Sequence, residues 1–198
     1  MERWEDIRRW RKEQRGRLIA ARSAPSLRER ERSSAAIADR LAALPVLAAP
    51  GLCVGFYWPI RGEPDLRAWV RGLLDRGCEA ALPVVVEKNA PIEFWRWDSR
   101  TKLTRQSVWG IPVPAERDVA RPDVLLVPLV GFDAACYRLG YGGGYYDRTL
   151  AGLDPQPVAI GVGLELGRLP TIYPQPHDVP MQTIVTEEGI AERLTPAR

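Results

Sequence analysis

Four short runs without a charged residue, Leu52 to Trp58, Ala80 to Val86, Val124 to Val130 and Val158 to Val162, constrain this chain more than anything else in it. Each has the length of a strand, and each is apolar at every position, as a strand buried on both faces must be. Between the first two, Leu66, Trp69, Val70, Leu73 and Leu74 form one helical stripe, with Pro64 at the first helical position and Gly77 closing the helix. After the third run, Tyr145 to Leu153 can coil into another helix. Strand alternating with helix predicts an α/β fold: a three-layer α/β/α arrangement with a largely parallel sheet. Pro83 interrupts hydrogen bonding in the second run and places it at an edge or a strand end.

The remaining segments complete that pattern. Ile92 to Trp97 alternates as a strand, with Ile92 and Phe94 on one face and Trp95 and Trp97 on the other; Trp109 to Pro114 reads as a rigid extended loop, and Thr183 to Val185 as a short strand. At the start, Ile7, Trp10, Gln14, Leu18 and Ala21 recur at near-helical spacing over residues 4–22, among Arg11, Lys12, Arg15, Arg17 and Arg22. Ser26 and Glu29 form a capping box for a second helix through Ala42, which Pro45 stops. A single domain over residues 1–198 is expected, its basic N-terminal helix packed at the working site.

Composition narrows the function. Residues 1–32 hold eleven Lys and Arg against six Asp and Glu, leaving 17 against 19 elsewhere, so the net charge of +3 is local to one end. That end is either a solvated helical face or an anion site, and 25 of the 28 basic residues are arginine, which suits bidentate phosphate contacts. His177 is the sole histidine, which leaves little for a histidine metal site or a Ser-His-Asp triad. Cys53, Cys78 and Cys136 are odd in number and lack C-x-x-C spacing, as befits a reducing cytoplasm, and no apolar run is long enough to span a bilayer. Neither a membrane nor a nucleic acid is an expected partner, although a basic nucleic-acid-binding protein is the reading that the N-terminal charge would otherwise favour.

The stretch Arg138-Leu139-Gly140-Tyr141-Gly142-Gly143-Gly144-Tyr145-Tyr146-Asp147-Arg148 concentrates the chemistry. It has neither the lysine of a P-loop nor G-x-G-x-x-G spacing. Gly140, Gly142, Gly143 and Gly144 can adopt positive φ and leave their amides uncovered, making an anion nest beside a helix start; a plain tight turn is the alternative. Asp147 in the first helical turn could hold a Mg²⁺ ion that bridges phosphate oxygens.

Together these segments resemble the 5-formyltetrahydrofolate cyclo-ligase family over nearly the whole chain. The likeness is carried by Gly131-Phe132-Asp133, Arg138-Leu139-Gly140 and Gly142 through Arg148, and supported by Arg11, Lys12, Arg15 and Arg22, by Glu63, by Trp109 to Pro114, by His177-Asp178-Val179 and by Ile184 to Glu187. It implies a fold like that of the sugar-phosphate isomerase and CoA-transferase group. It also implies ATP- and Mg²⁺-dependent closure of 5-formyltetrahydrofolate to 5,10-methenyltetrahydrofolate by a monomeric cytoplasmic enzyme. Carried over by position, Arg11, Lys12, Arg15, Arg138, Gly140, Gly142, Gly143, Gly144, Tyr145 and Tyr146 would bind ATP. Trp58, Glu63, Tyr141 and Tyr145 would meet the folate, and Asp147 and Asp178 the metal, with Arg15, Tyr145 and Asp147 as the catalytic set. The chain departs from the family pattern at Tyr141, often basic, at Val113, often Glu or Gln, and at Pro64-Asp65, usually Asp-Thr; all lie on the folate side. A nucleotide-binding relative with altered folate activity is the alternative these departures leave.

Overall fold

The computed structural model describes residues 3–105 and 110–193. Its centre is an eight-stranded sheet built from β1 (Cys53–Gly55), β2 (Glu79–Val84), β3 (Glu93–Arg96), β4 (Val119–Ala120), β5 (Val124–Pro128), β6 (Val158–Val162), β7 (Thr183–Val185) and β8 (Ile190–Glu192). The order across the sheet is β8-β7-β6-β5-β1-β2-β3-β4. The five inner strands from β7 to β2 run parallel; β8 on one side and β3 on the other run antiparallel to them, and β4 pairs antiparallel with β3.

Side-chain alternation along β5 explains why an unbroken apolar run is needed. Val124 and Leu126 enter one core cluster and Leu125 and Val127 the other, so no position of the strand faces water. The first cluster is covered by α2 (Leu27–Ala42) and α3 (Arg67–Leu74) through Ile37, Leu41, Val70 and Leu73; the second lies under α4 (Tyr145–Gly152) through Leu150. Three layers result, as expected. Each fully buried aliphatic side chain contributes about 1.5–3 kcal/mol relative to exposure. The first helix, α1 (Trp4–Ser23), belongs to neither layer: Leu18 packs with Val130, Leu139, Leu169 and Ile172 beyond the carboxyl end of β5.

Several boundaries differ from those expected. The first run pairs only over Cys53–Gly55; Phe56 N–H still reaches the Ala81 carbonyl at 2.9 Å, after which Tyr57 turns inward and its hydroxyl donates to the Pro64 carbonyl at 2.9 Å. Pro64 therefore lies before α3, not in it, and the helix begins at Arg67, whose N–H donates to the Asp65 carboxylate at 3.1 Å. β2 is an interior strand and not an edge, and Pro83 stands at the strand end, the other place expected, one residue before Val84: the register with β1 ends at Gly55 opposite Ala81, so the missing N–H falls beyond that ladder. Trp97 is buried, whereas Trp95 is half-buried with its indole N–H donating to Glu93 at 2.8 Å. Within the stretch expected as a rigid extended loop, Val113–Pro114 pairs antiparallel with Leu103–Thr104, and Trp109 lies outside the described residues. The capping box at Ser26 and Glu29 forms as read.

Candidate active site

The glycine loop does not follow β5 directly. The chain first makes a two-stranded hairpin, Gly131–Phe132 against Arg138–Leu139, whose turn is shaped by Asp133: its Oδ1 accepts from the amides of Ala135 and Tyr137 and its Oδ2 from that of Ile172. Cys136 completes this turn at φ 61°. The buried Asp133 thus has a structural reason to stand where it does, because it pairs three backbone donors that would otherwise be orphaned. The hairpin hands the chain back toward α1 as Gly140, and α4 starts after Gly144, which occupies the N-cap with φ 65°. Gly142 also lies in the left-handed region, at φ 92°. A glycine nest at a helix N-terminus follows, the kind of place where backbone amides and the helix dipole favour an anion.

Four arginines close on this nest. Arg15 Nε donates to the Gly140 carbonyl at 2.7 Å, and its guanidinium lies so close over Gly142 that a Cβ there would sit 3.2 Å from Arg15 Cζ. Arg148 donates to the Gly143 carbonyl at 2.7 Å with its guanidinium 4.8 Å from the centre of the Tyr145 ring. Arg138 is buried, its Nη2 forming an ion pair with Asp147 Oδ2 at 3.0 Å and its Nε lacking a hydrogen-bond acceptor. Arg11 Nη2 meets Asp178 Oδ2 at 2.5 Å. Two carboxylates thus face four guanidiniums. Burial pulls the Arg15 pKa down, Arg11 adds to the fall and Asp178 opposes it, the signature of positive charge short of counter-ions.

Around Glu63 a second, mostly buried cluster forms. Glu63 Oε2 accepts from the Ile60 amide at 2.9 Å, Oε1 accepts from the Tyr141 hydroxyl at 2.7 Å, and Arg22 Nη2 stands 3.4 Å away. Burial pushes the Glu63 carboxyl up, while Arg22, the Ile60 amide and Tyr141 pull it down. The hydroxyls of Tyr141 and Tyr146 are held well above the usual tyrosine range, first by burial and then by the charge of Glu63, and the Tyr146 Oη has no hydrogen-bond partner. A buried tyrosine hydroxyl without an acceptor costs about 1–3 kcal/mol, which a bound ligand would recover.

Of the residues read from the sequence, Arg11, Arg15, Arg138, the four glycines, Tyr141, Tyr145, Tyr146, Asp147 and Asp178 gather around the loop, and Glu63 joins them through Tyr141. Lys12 is exposed. Trp58 is half-buried against the first core cluster, with the Arg67 guanidinium 4.6 Å from its ring centre covering one face of the indole. Arg22 was not among the site residues expected, yet it lies at the heart of the Glu63 cluster; its signal was the spacing Arg11, Arg15, Leu18, Arg22, one face of α1.

An α/β protein with glycine-loop amides at a helix start, surrounded by arginines and joined to a buried carboxylate, has the donors an anionic ligand needs. The chain belongs to the 5-formyltetrahydrofolate cyclo-ligase family, whose model matches residues 7–187. It is 33% identical to the 5-formyltetrahydrofolate cyclo-ligase of Mycolicibacterium smegmatis over 150 residues, 71% of this chain and 76% of that one. To the Escherichia coli K12 protein of the same name it is 32% identical over 148 residues, 70% of this chain and 80% of the other. Its fold matches the solved Aquifex aeolicus 5,10-methenyltetrahydrofolate synthetase with a TM-score of 0.79 at 30% identity, covering 95% of both chains. The corresponding Mycoplasma pneumoniae structure aligns with a TM-score of 0.73 at 25% identity, over 89% of this chain and 98% of that one.

Proposed function

We propose that the protein converts 5-formyltetrahydrofolate to 5,10-methenyltetrahydrofolate with ATP, releasing ADP and phosphate. Family membership supports the reaction, and one observation ties it to this site: Tyr141 of the glycine loop donates to Glu63 at 2.7 Å, so the phosphate nest and the buried carboxylate adjoin. In this reading the glycine amides and Arg15, Arg138 and Arg148 hold the ATP phosphates, with Arg11 and Lys12 alongside, and Trp58, Glu63, Tyr141 and Tyr145 border the folate.

The chemistry asks for positioning more than for an acid or base. A formamide oxygen is a poor leaving group, so the γ-phosphoryl group is transferred to it, N10 attacks the activated carbon and loses its proton, and phosphate departs. Fixed guanidiniums and backbone amides aimed at the transferring group stabilise its charge without reorganising at the moment of reaction. Arg15 and Tyr145 lie where they can orient the phosphates, and Asp147 fixes Arg138.

Mg²⁺ belongs to the proposal. Among the described residues no group of three His, Cys, Asp or Glu is preformed to cage a metal. The donors nonetheless fit an ion that arrives with ATP, since Mg²⁺ keeps waters and phosphate oxygens and asks for one or two carboxylates. Asp178 Oδ1 meets His177 only at 3.8 Å, and the Val179 amide donates to Asp147 Oδ1 at 3.2 Å, which brings the two acidic segments together. Bound there, the ion would offset charge on the phosphate oxygens. Incubation with 5-formyltetrahydrofolate, ATP and Mg²⁺, followed by absorbance of the methenyl product, tests the reading; no absorbance gain at ample enzyme contradicts it.

A further inference from the structure

Arg22 makes more contacts between separate parts of the molecule than any ordinary surface arginine would. From the last turn of α1 its Nε donates to the Arg61 carbonyl at 2.8 Å and its Nη1 to the Leu129 carbonyl at 3.1 Å, while Nη2 reaches both Glu63 Oε1, at 3.4 Å, and the Tyr141 hydroxyl. The side chain is 3% exposed and that of Glu63 2%. The backbone is shaped to allow this: Gly62, at φ 77°, lies so close to α1 that a Cβ would stand 2.7 Å from the Arg22 carbonyl oxygen, and Arg61 beside it sits at φ 48°. Arg61, a non-glycine residue in the left-handed region, holds its uncommon conformation where the loop is tied by many contacts.

The groups facing Glu63 come from four elements. Arg22 projects from α1, Tyr57 from the end of β1, Tyr141 from the glycine loop and Tyr146 from α4, while the Arg61 guanidinium lies 5.8 Å from the Tyr141 ring on the side of its own loop. Among these, Arg22 is the one cation that touches the carboxylate, and the three tyrosines are neutral. A carboxylate this buried is held ionised only if a charge partner offsets its desolvation.

We propose that Arg22 is a positioning residue for the reaction: it keeps the Glu63 carboxylate charged and aimed past Tyr141 toward the substrate. The inference rests on the cyclo-ligase reading for what Glu63 does, and on the contacts above for how Arg22 does it. Because position 141 points its side chain at the same carboxylate oxygen, a cation delivered from the glycine loop should substitute for one delivered from α1. A residue that merely braces the helix could not be replaced in that way.

The test compares wild type with Arg22→Met, Arg22→Lys and the double variant Arg22→Met with Tyr141→Arg. Carbon-13 NMR follows the titration of the Glu63 carboxyl in the ligand-free protein, and steady-state kinetics gives KM for 5-formyltetrahydrofolate and for ATP. Arg22→Met is expected to raise the Glu63 midpoint by a pH unit or more and the folate KM about tenfold, with the ATP KM within twofold. Arg22→Lys should recover most of both losses, and the double variant, which also replaces a tyrosine at the folate, most of the shift in midpoint. An unmoved midpoint, parallel increases in both KM values, or a double variant with the midpoint of Arg22→Met would overturn the proposal. Should Arg22→Met fail to fold, Arg22→Gln, which retains an amide donor for the backbone carbonyls, gives the same readings. If wild type makes no methenyl product the reaction assigned above falls, and the Glu63 titration still decides the role of Arg22.

Discussion

Arg11 and Asp178 lie 167 residues apart in sequence and form an ion pair at 2.5 Å, with side chains 8% and 10% exposed. The same guanidinium donates to the carbonyls of Ile172 and Tyr173, both at 2.9 Å. This contact docks α1 onto the segment that carries Asp178, so one face of the basic helix is packed against the candidate site while Arg8, Arg9, Lys12 and Arg17 remain exposed to solvent.

Arg11→Ala should therefore destabilise the protein by about 3 kcal/mol, because it strands a nearly buried carboxylate and two carbonyls. Lys12→Ala, at an exposed position, should change stability by less than about 0.5 kcal/mol and raise the ATP KM several-fold. Urea unfolding and ATP saturation curves separate the two effects. Equal loss of stability in both variants would mean that α1 is held by its charge as a whole.

This helix also marks the limit of what the sequence could convey. Its period was legible, and so were the parallel core, the capping box and a glycine loop leading into a helix, because each rests on local spacing. The stripe of Ile7, Trp10, Gln14, Leu18 and Ala21 is buried at Ile7 and Leu18 and half-buried at Trp10 and Gln14, but Ala21 is exposed, and Arg11 and Arg22 are buried beside it. An arginine becomes a core residue only when backbone carbonyls distant in sequence accept its protons, as Ile172, Tyr173, Arg61 and Leu129 do here, and no periodicity records that. The hairpin between β5 and the glycine loop was likewise hidden, since Asp133 organises it through amides up to 39 residues away.

Gly142→Ala should impair ATP use more than folding. A side chain at φ 92° costs about 1–2 kcal/mol, and the added Cβ presses on the Arg15 guanidinium at 3.2 Å. Calorimetry should show ATP binding weakened tenfold or more with a stability loss within that range. Undiminished binding would detach Arg15 and Gly142 from the phosphates.

Glu63 makes stability depend on pH in a defined direction. Its folded pKa is raised above the ordinary 4.5, so its contribution is fully present below that value and is lost as pH rises through the folded pKa. Relative to Glu63→Gln, wild type should lose ground steadily from pH 4.5 upward. Urea unfolding of both proteins between pH 4 and 8 gives the difference; a flat difference, or one favouring wild type as pH rises, contradicts the buried environment described for this carboxyl.

The three cysteines should be inert in the native state. All are buried, and burial followed by the charge of Glu79 pushes the Cys53 thiol up to about 11, so little thiolate is present near neutrality. A chromogenic disulfide reagent at pH 7 should react with none of them rapidly and with all three in denaturant. A fast-reacting native thiol would show that one of these packing contacts opens readily.

The central claim is that the glycine loop and the Glu63 loop form one site in which ATP cleavage drives closure of the folate ring. Its most direct test is the stoichiometry of ADP to 5,10-methenyltetrahydrofolate formed by wild type and by Glu63→Gln in the presence of Mg²⁺. The prediction is one ADP per methenyl product in wild type, and loss of both products together, with ATP binding preserved, in Glu63→Gln. Release of ADP that continues unchanged without ring closure, or methenyl product formed without ATP, would contradict it.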